Sequence, residues 1–356
     1  MKNYRVSVEE LKAFTKTVFE KAGLAPEQAR SVADLLIHAD VRGVSSHGVL
    51  RVKPYIDKIR GGGASVDSGY PVISETKNTA VIDAQSGLGA VAGEKAVKIA
   101  REKAKENLIS IISVKNSNHF GMAGHWAMKL AGEDYIGFAC SNTDPSMAPP
   151  GVTIPFIGNN PFSFAFAAGK KYPEVCVDMA TSAAAFGKAK AYALAGNPIP
   201  EGWLLDKAGN PTTKLEEYGM LVPMAQHKGF GIAFIVELFA TLLSGGVLSP
   251  DVNDQDLPDT PELSSQSFGC INISAFRNID LFHDDAEKYI DMLKALPVRE
   301  GADSAKYPGE IEYTNKVKNL KEGICLPEAL VSQLKDTGKE LGVTDGQMSF
   351  LSDQEA

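Results

Sequence analysis

Gly87-Leu88-Gly89-Ala90-Val91-Ala92-Gly93 stands between an apolar run, Thr79 to Ala84, that reads as a strand and a pattern, Gly89 to Glu106, that reads as a helix. Strand, glycine turn and helix is the layout of the dinucleotide fingerprint G-x-G-x-x-G. Two features break the match. The last glycine falls one residue late. The next strand, Leu108–Val114, runs into Lys115, with no acid to take a ribose hydroxyl. The glycines read instead as a turn that lets a helix pack closely, and a Rossmann domain is rejected.

Working outward from this segment, the N-terminal side is helical. Ser7 and Glu10 have capping-box spacing ahead of Leu11, Phe14, Val18 and Phe19, and Gly23 closes that helix. Pro26 opens a second, with Val32, Leu35, Leu36 and Ala39 inside. A third follows Ser45-Ser46-His47-Gly48, and Pro54 must fall in its first turn or at a kink. The texture changes after Gly61-Gly62-Gly63. On the C-terminal side, strands are expected at Ile136–Ser141, Phe162–Phe166, Glu174–Met179 and Cys270–Ala275. Helices are expected at Gly121–Glu133, Ala184–Ala195, Phe230–Leu243, Asp284–Leu296 and Pro327–Leu341. The order suggests that the helical parts at both chain ends, 1–75 and about 305–356, pack around a central α/β domain, about 76–304.

The chain has 356 residues, 44% of them hydrophobic, which fits two intertwined domains with a sizeable core. A formal net charge of -8 and scattered Lys and Arg give no electrostatic support for nucleic-acid binding. The four cysteines, Cys140, Cys176, Cys270 and Cys325, form no C-x-x-C pair and read as reduced, buried thiols of a cytoplasmic protein. Met1 to Glu10 is too polar for a signal peptide. Gly229 to Val247, the longest apolar run, is broken by Glu237 and reads as a buried core helix.

Several motifs carry no chemistry. Ser46-His47 lacks the G-x-S-x-G setting of a nucleophile elbow. His119 and His125 lack the i, i+4 spacing of zinc helices, so no metal is expected. The lysine of Lys228-Gly229-Phe230-Gly231 precedes its glycines, unlike a P-loop. What is left is a constellation. His47, Arg51 and Tyr55 are four residues apart and would share a helix face. Arginine offers a planar fork to a carboxylate, histidine exchanges a proton near neutrality, and Ser46 and Tyr55 hydroxyls can orient an oxygen substrate. An exposed face with an ion pair is the plainer account of these residues alone. His119 lies at a strand end after Asn116-Ser117-Asn118, where ligands collect in α/β folds. A polar loop is the plainer account there. Asp178-Met179-Ala180-Thr181-Ser182 ends a strand just before a helix; either an anion site or an N-cap fits. Lys228 can reach a phosphate or ribose, or be an ordinary surface lysine.

Taken in order, these segments resemble the non-Rossmann malate/L-lactate dehydrogenase family, which includes sulfolactate, ureidoglycolate and diketogulonate dehydrogenases. The resemblance rests on Ala39-Asp40-Val41-Arg42-Gly43, Ser46-His47-Gly48 with Arg51 and Tyr55, and Asn118-His119-Phe120-Gly121. It extends through Gly158-Asn159-Asn160-Pro161, Asp178-Met179-Ala180-Thr181, Lys228-Gly229-Phe230-Gly231 and Tyr307-Pro308-Gly309-Glu310. It implies an α/β (α+β) fold: a nicotinamide-binding domain that is not Rossmann, plus a helical domain built from both termini. It implies a homodimer and NAD or NADP. It places Ser46, His47, Arg51, Tyr55 and His119 around the substrate, and Thr143, Asp178, Met179, Ala180 and Lys228 near the cofactor. The loop Ala148-Pro149-Pro150-Gly151 departs from the family's usual Pro-x-Gly-Gly, which leaves the acid open.

The expected reaction is hydride transfer between the nicotinamide and C2 of a small 2-hydroxy or 2-keto acid such as malate or lactate. Arg51 holds the carboxylate, Tyr55 and Ser46 orient, and His119 or His47 moves the proton. Other readings on the same fold are a ureidoglycolate, sulfolactate, keto-sugar-acid or cyclic-imine enzyme. A reading from another class is a nucleotide sensor without catalysis.

Overall fold

The computed structural model describes residues 2–194 and 196–352. Met1, residues 353–356 and Ala195, the expected last residue of the helix from Ala184, lie outside the described residues. In chain order the elements are β1 (Asn3–Val6), α1 (Val8–Lys21), α2 (Pro26–Val41), α3 (Val52–Gly61), β2 (Val72–Glu75), β3 (Thr79–Asp83), α4 (Gly89–Asn107) and β4 (Ile109–Ser117). Next come α5 (Ala123–Ala131), β5 (Tyr135–Ser141), β6 (Phe162–Phe166), β7 (Val175–Met179), α6 (Phe186–Leu194), β8 (Leu204–Asp206), β9 (Pro211–Thr212) and β10 (Tyr218–Leu221). The chain ends with α7 (His227–Glu237), β11 (Ser264–Asn272), α8 (Ile279–Lys294), α9 (Glu310–Glu322), β12 (Ile324–Pro327) and α10 (Glu328–Glu340).

The main sheet has seven strands in the order β2-β3-β4-β11-β5-β6-β7. Only β3 and β4 pair in parallel, and α4 is their crossover. Every other neighbour in this sheet is antiparallel. A doubly wound sheet needs repeated parallel crossovers, so the topology agrees with the rejection of a Rossmann domain.

The glycines of the opening segment are packing devices. A Cβ on Gly89 would lie 2.2 Å from the Asn118 carbonyl oxygen, and one on Gly93 would lie 2.8 Å from the Trp126 ring. Their absence lets α4 rest on the end of β4 and on α5. One continuous core joins Leu11, Phe19 and Leu36 of the first helices to Ile82, Ile112 and Phe268 of the sheet. Burying each such side chain contributes about 1.5–3 kcal/mol. Val331 and Leu334 of α10 join the same core, and β1 pairs with β12, so the two chain ends are tied together.

Four expectations are corrected. The strand expected at Cys270–Ala275 lies at Ser264–Asn272, and Ile273–Ala275 is a 3-10 turn. Ser264, Ser265, Gln266 and Ser267 are fully buried in it. Their polarity hid a central strand, and part of it is satisfied internally: Ser267 Oγ bonds Ser113 Oγ at 2.9 Å and donates to the Phe239 carbonyl at 2.6 Å. The apolar run from Gly229 is not a wholly buried helix. It forms α7 and a π-helical stretch, Leu238–Leu242, whose Ala233, Val236 and Ala240 face inward while Phe234, Ile235 and Leu242 are exposed. No helix of the described residues is long and apolar enough to cross a membrane. Cys325 is exposed because β12 alternates outward there; the other cysteines are buried. Finally, α9 forms in a tail read as helical only from Pro327.

Candidate active site

Asp40 builds the first half of the site. It is buried at the end of α2, and burial pushes its carboxyl up to about 7. Its Oδ2 accepts the Val49 N–H at 2.7 Å. A Cβ on Gly48 would lie 1.9 Å from Asp40 Oδ1, so only glycine lets the chain cross the carboxylate. The result is two short 3-10 turns, Ser45–His47 and Val49–Arg51, followed directly by α3. His47, Arg51 and Tyr55 therefore do not share one α-helical face, as their spacing suggested. Pro54 sits in the first turn of α3, where its missing N–H costs nothing.

The turns still gather the side chains. Ser46 Oγ lies 2.9 Å from His47 Nδ1, and Arg51 Nε donates to the Ser46 carbonyl at 2.9 Å. Arg51 also faces Asp256, with 3.6 Å between Nη1 and Oδ1. That loose pairing with an exposed partner leaves the guanidinium fork able to take another carboxylate. Tyr55 Oη lies 2.6 Å from His119 Nδ1. The His47 and His119 rings are 5.5 Å apart between centroids.

His119 arrives from the other side, just past β4. Asn118 anchors that turn by donating to the Ser86 carbonyl at 2.8 Å and the Gly87 carbonyl at 3.2 Å. Gly121, at φ +74°, turns the chain into α5 against Leu35. Burial, then the Arg51 charge, lowers His47 to about 4. Burial, then Arg51, His47 and Lys58, holds His119 well below the usual histidine range. Both imidazoles are thus neutral in the free protein at pH 7. Burial raises the Tyr55 phenol, which stays protonated.

A second group of residues collects at the ends of β5, β6 and β7. The Thr143 N–H donates to Asn160 Oδ1 at 3.2 Å, and Thr143 Oγ1 donates to Asn159 Oδ1 at 3.2 Å. The Asn159 carbonyl accepts the Thr181 N–H at 2.9 Å, the Thr181 carbonyl accepts the Met224 N–H at 2.8 Å, and the Met224 carbonyl accepts the Gly229 N–H at 2.8 Å. This ladder brings Thr143, the strand end Asp178-Met179-Ala180 and the turn holding Lys228 into one neighbourhood. Lys228 is exposed in the first turn of α7. Asp178 Oδ2 accepts the Gly124 N–H at 2.9 Å. Thr181 and Ser182 do not cap a helix, because α6 begins only at Phe186. No hydrogen bond among the described residues joins this group directly to the His119 group.

Three residues that the sequence reading did not assign to the site support these loops. Glu237, buried beside the π-helical stretch, accepts from Asn160 Nδ2 at 3.0 Å and from Ser249 Oγ at 2.6 Å. Its position inside an apolar run was the available signal. Glu262 and Lys58 lie beneath the His119 turn. Both side chains are buried, burial pushes the Glu262 carboxyl up to about 7, and Glu262 is the only acidic or basic residue between Asp259 and Arg277. No group of three His, Cys, Asp or Glu among the described residues is placed to hold a metal.

The second group fits a pyridine dinucleotide by its donor chemistry. An exposed lysine suits a phosphate or ribose, a threonine hydroxyl and backbone amides offer polar contacts, and half-buried Met179 and Ala180 offer an apolar wall.

The chain resembles known proteins over nearly its whole length. The malate/L-lactate dehydrogenase family profile matches residues 6–335. A malate dehydrogenase of Pyrococcus horikoshii is 36% identical over 96% of this chain and 97% of its own. The ureidoglycolate dehydrogenase (NAD(+)) of Escherichia coli is 29% identical over 93% of this chain and 95% of its own. The solved sulfolactate dehydrogenase of Methanocaldococcus jannaschii superposes with a TM-score of 0.89 at 33% identity, covering 96% of this chain and 98% of that one. Fold, site and relatives together place the chain in the malate/L-lactate dehydrogenase family, as a hydroxy-acid oxidoreductase that uses a nicotinamide cofactor.

Proposed function

We propose that this protein reversibly oxidises a small 2-hydroxy acid to its 2-keto acid, with Arg51 holding the carboxylate and His119 moving the C2 hydroxyl proton. The observation that carries this is the Tyr55–His119 contact of 2.6 Å beside a guanidinium fixed through its Nε. The bound nicotinamide supplies the hydride acceptor or donor. In oxidation, neutral His119 takes the hydroxyl proton. When its Nδ1–H donates to the Tyr55 oxygen, Nε2 is left bare for that purpose; the opposite tautomer makes Nε2 a donor. In reduction the imidazole must first be protonated. A substrate carboxylate on Arg51 favours this, because it offsets a charge that depresses both histidines. His47, bonded to Ser46, helps hold the substrate.

Thr143, Asp178, Met179, Ala180 and Lys228 would line the NAD or NADP site. In this reading 76–304 carries the cofactor, and 1–75 with about 305–356 carries the Arg51 side of the substrate. The partner is a second copy: the exposed Phe234, Ile235, Leu242 and Leu243 beside α7 form an apolar surface that a homodimer would cover. Three buried, unpaired thiols suit a cytoplasmic protein.

A panel of oxaloacetate, pyruvate, sulfopyruvate and a cyclic imino acid, each with NADH and NADPH, tests the reading at the nicotinamide absorbance band. Turnover of a keto acid supports it. Cofactor binding with no turnover of any of them would favour a sensor.

A further inference from the structure

Asp256 stands on the arginine that the substrate needs. Its Oδ1 lies 3.6 Å from Arg51 Nη1, and among the described residues Arg51 is the only cation paired with it. Arg51 Nε is spent on the Ser46 carbonyl. The edge left for a substrate carboxylate is Nη1 with Nη2, and Asp256 already faces that edge.

The loop that carries Asp256 is braced. Lys58 Nζ donates to the Gln255 carbonyl at 3.1 Å and the Leu257 carbonyl at 3.0 Å, the residues on either side of it. The Gly63 N–H donates to the Pro258 carbonyl at 3.1 Å. A Cβ on Gly61 would lie 2.4 Å from that same oxygen, so glycine lets the end of α3 close on the loop. Asn253 Nδ2 donates to the Pro261 carbonyl at 2.7 Å, and the Asp256 N–H donates to Asp254 Oδ1 at 2.9 Å. Every one of these contacts holds backbone, and none uses the Asp256 carboxylate. That side chain is 68% exposed. It can turn into water at little cost, because an exposed ion pair is worth little.

A carboxylate fixed beside a substrate arginine acts on each acid that arrives there. It occupies the free edge before binding. Once it has moved aside, it still repels the ligand, and Coulomb repulsion grows with the charge that the ligand carries.

We propose that Asp256 is a specificity-determining residue that holds the free edge of Arg51 until a 2-keto acid displaces it, and that it favours acids with one negative charge over acids with two. This rests on Arg51 as the carboxylate clamp. Asp256 does not touch the reacting atoms, so its weight falls on substrate affinity and not on kcat.

The test measures affinity without turnover. The protein is loaded with NAD+ or NADP+, whichever it binds more tightly, and titrated by calorimetry with pyruvate and with oxaloacetate. Wild type, Asp256→Asn, Asp256→Glu and Arg51→Lys are compared at about 10 mM and about 1 M salt, where charges are screened beyond about 30 Å and about 3 Å. At low salt Asp256→Asn should bind pyruvate about 1.5- to fivefold more tightly, the scale of an exposed ion pair. It should gain more for the doubly charged oxaloacetate, and both gains should shrink at high salt. Asp256→Glu keeps the charge and should stay within about twofold of wild type. An absent gain, an equal gain for the two acids, or a gain indifferent to salt overturns the proposal. So does a matching gain in cofactor affinity, which would mark a general charge effect. If Arg51→Lys binds both acids as wild type does, the clamp assignment and this inference fail together. If Arg51→Lys is weakened and Asp256→Asn is not tightened, this inference alone fails.

Discussion

Tyr55 Oη and His119 Nδ1 meet at 2.6 Å across 64 positions of sequence, joining the helix after the Arg51 turn to the end of β4. Tyr55 is buried, so removing its hydroxyl strands an imidazole nitrogen where little water can replace it. Tyr55→Phe should lower turnover roughly 5- to 150-fold, the equivalent of about 1–3 kcal/mol. The ring is kept, so the melting temperature should fall only by the few degrees that one stranded buried nitrogen costs. Steady-state kinetics with a thermal melt checks both; normal turnover would mean that His119 needs no help from Tyr55.

Arg51 is fixed by Nε on the Ser46 carbonyl, with Nη1 only loosely paired to Asp256. Arg51→Lys keeps the charge and loses the fork. The keto-acid KM should rise by the value of a charge-assisted bond, about 1.5–3 kcal/mol or roughly 10- to 150-fold. The cofactor KM should stay put. An unchanged keto-acid KM would remove Arg51 from the carboxylate site.

The histidines set the sign of the pH dependence. In oxidation the base must be neutral, and kcat/KM reports the free enzyme. Burial and Arg51 lower both His47 and His119, so activity should persist below the ordinary histidine value and fall only on further acidification. An acid limb near neutrality, which unperturbed histidines would give, is not expected. Arg51→Gln removes one lowering cause and leaves burial, so the limb should move upward without reaching the ordinary value. A limb indifferent to Arg51→Gln would belong to some other group.

Gly89 tests the reading of the glycine segment. A Cβ there meets the backbone oxygens of Asn118 at 2.2 Å and His119 at 2.7 Å, and backbone cannot swing aside. Gly89→Ala should cost about 1–3 kcal/mol of stability, the usual range for overpacking, and should reduce turnover by shifting His119. Were this segment a phosphate cradle, cofactor affinity would fall first, with the melt unchanged. Thermal melts and NADH titration separate the two.

Much of this was legible in the chain. The β3-α4-β4 unit carries clear periodicity, and the late glycine with Lys115 in place of an acid argued correctly against a Rossmann crossover. What was hidden depends on contacts between distant segments. β11 disguises itself because its first half is buried serine and glutamine, part of it bonded to other buried groups, such as Ser267 to Ser113, that local pattern cannot show. The pairing of β1 with β12 joins the two ends of the chain, and strands as short as β9 have no period to read. His47, Arg51 and Tyr55 were picked for a helix face that does not exist; what gathers them with Ser46 is Asp40 beneath a glycine. Lys58 was invisible as a site residue because its meaning lies in the Gln255 and Leu257 carbonyls that it holds.

The most direct test of the account is the pH–rate profile of His119→Asn beside that of His47→Asn on one hydroxy acid. General acid–base catalysis is worth about 10²–10⁴-fold. The account predicts a turnover loss in that range for His119→Asn, with cofactor affinity kept and the acid limb gone. His47→Asn should weaken substrate binding and keep the limb. Near-normal turnover with the wild-type limb in both variants would contradict it, since neither histidine would then carry the proton.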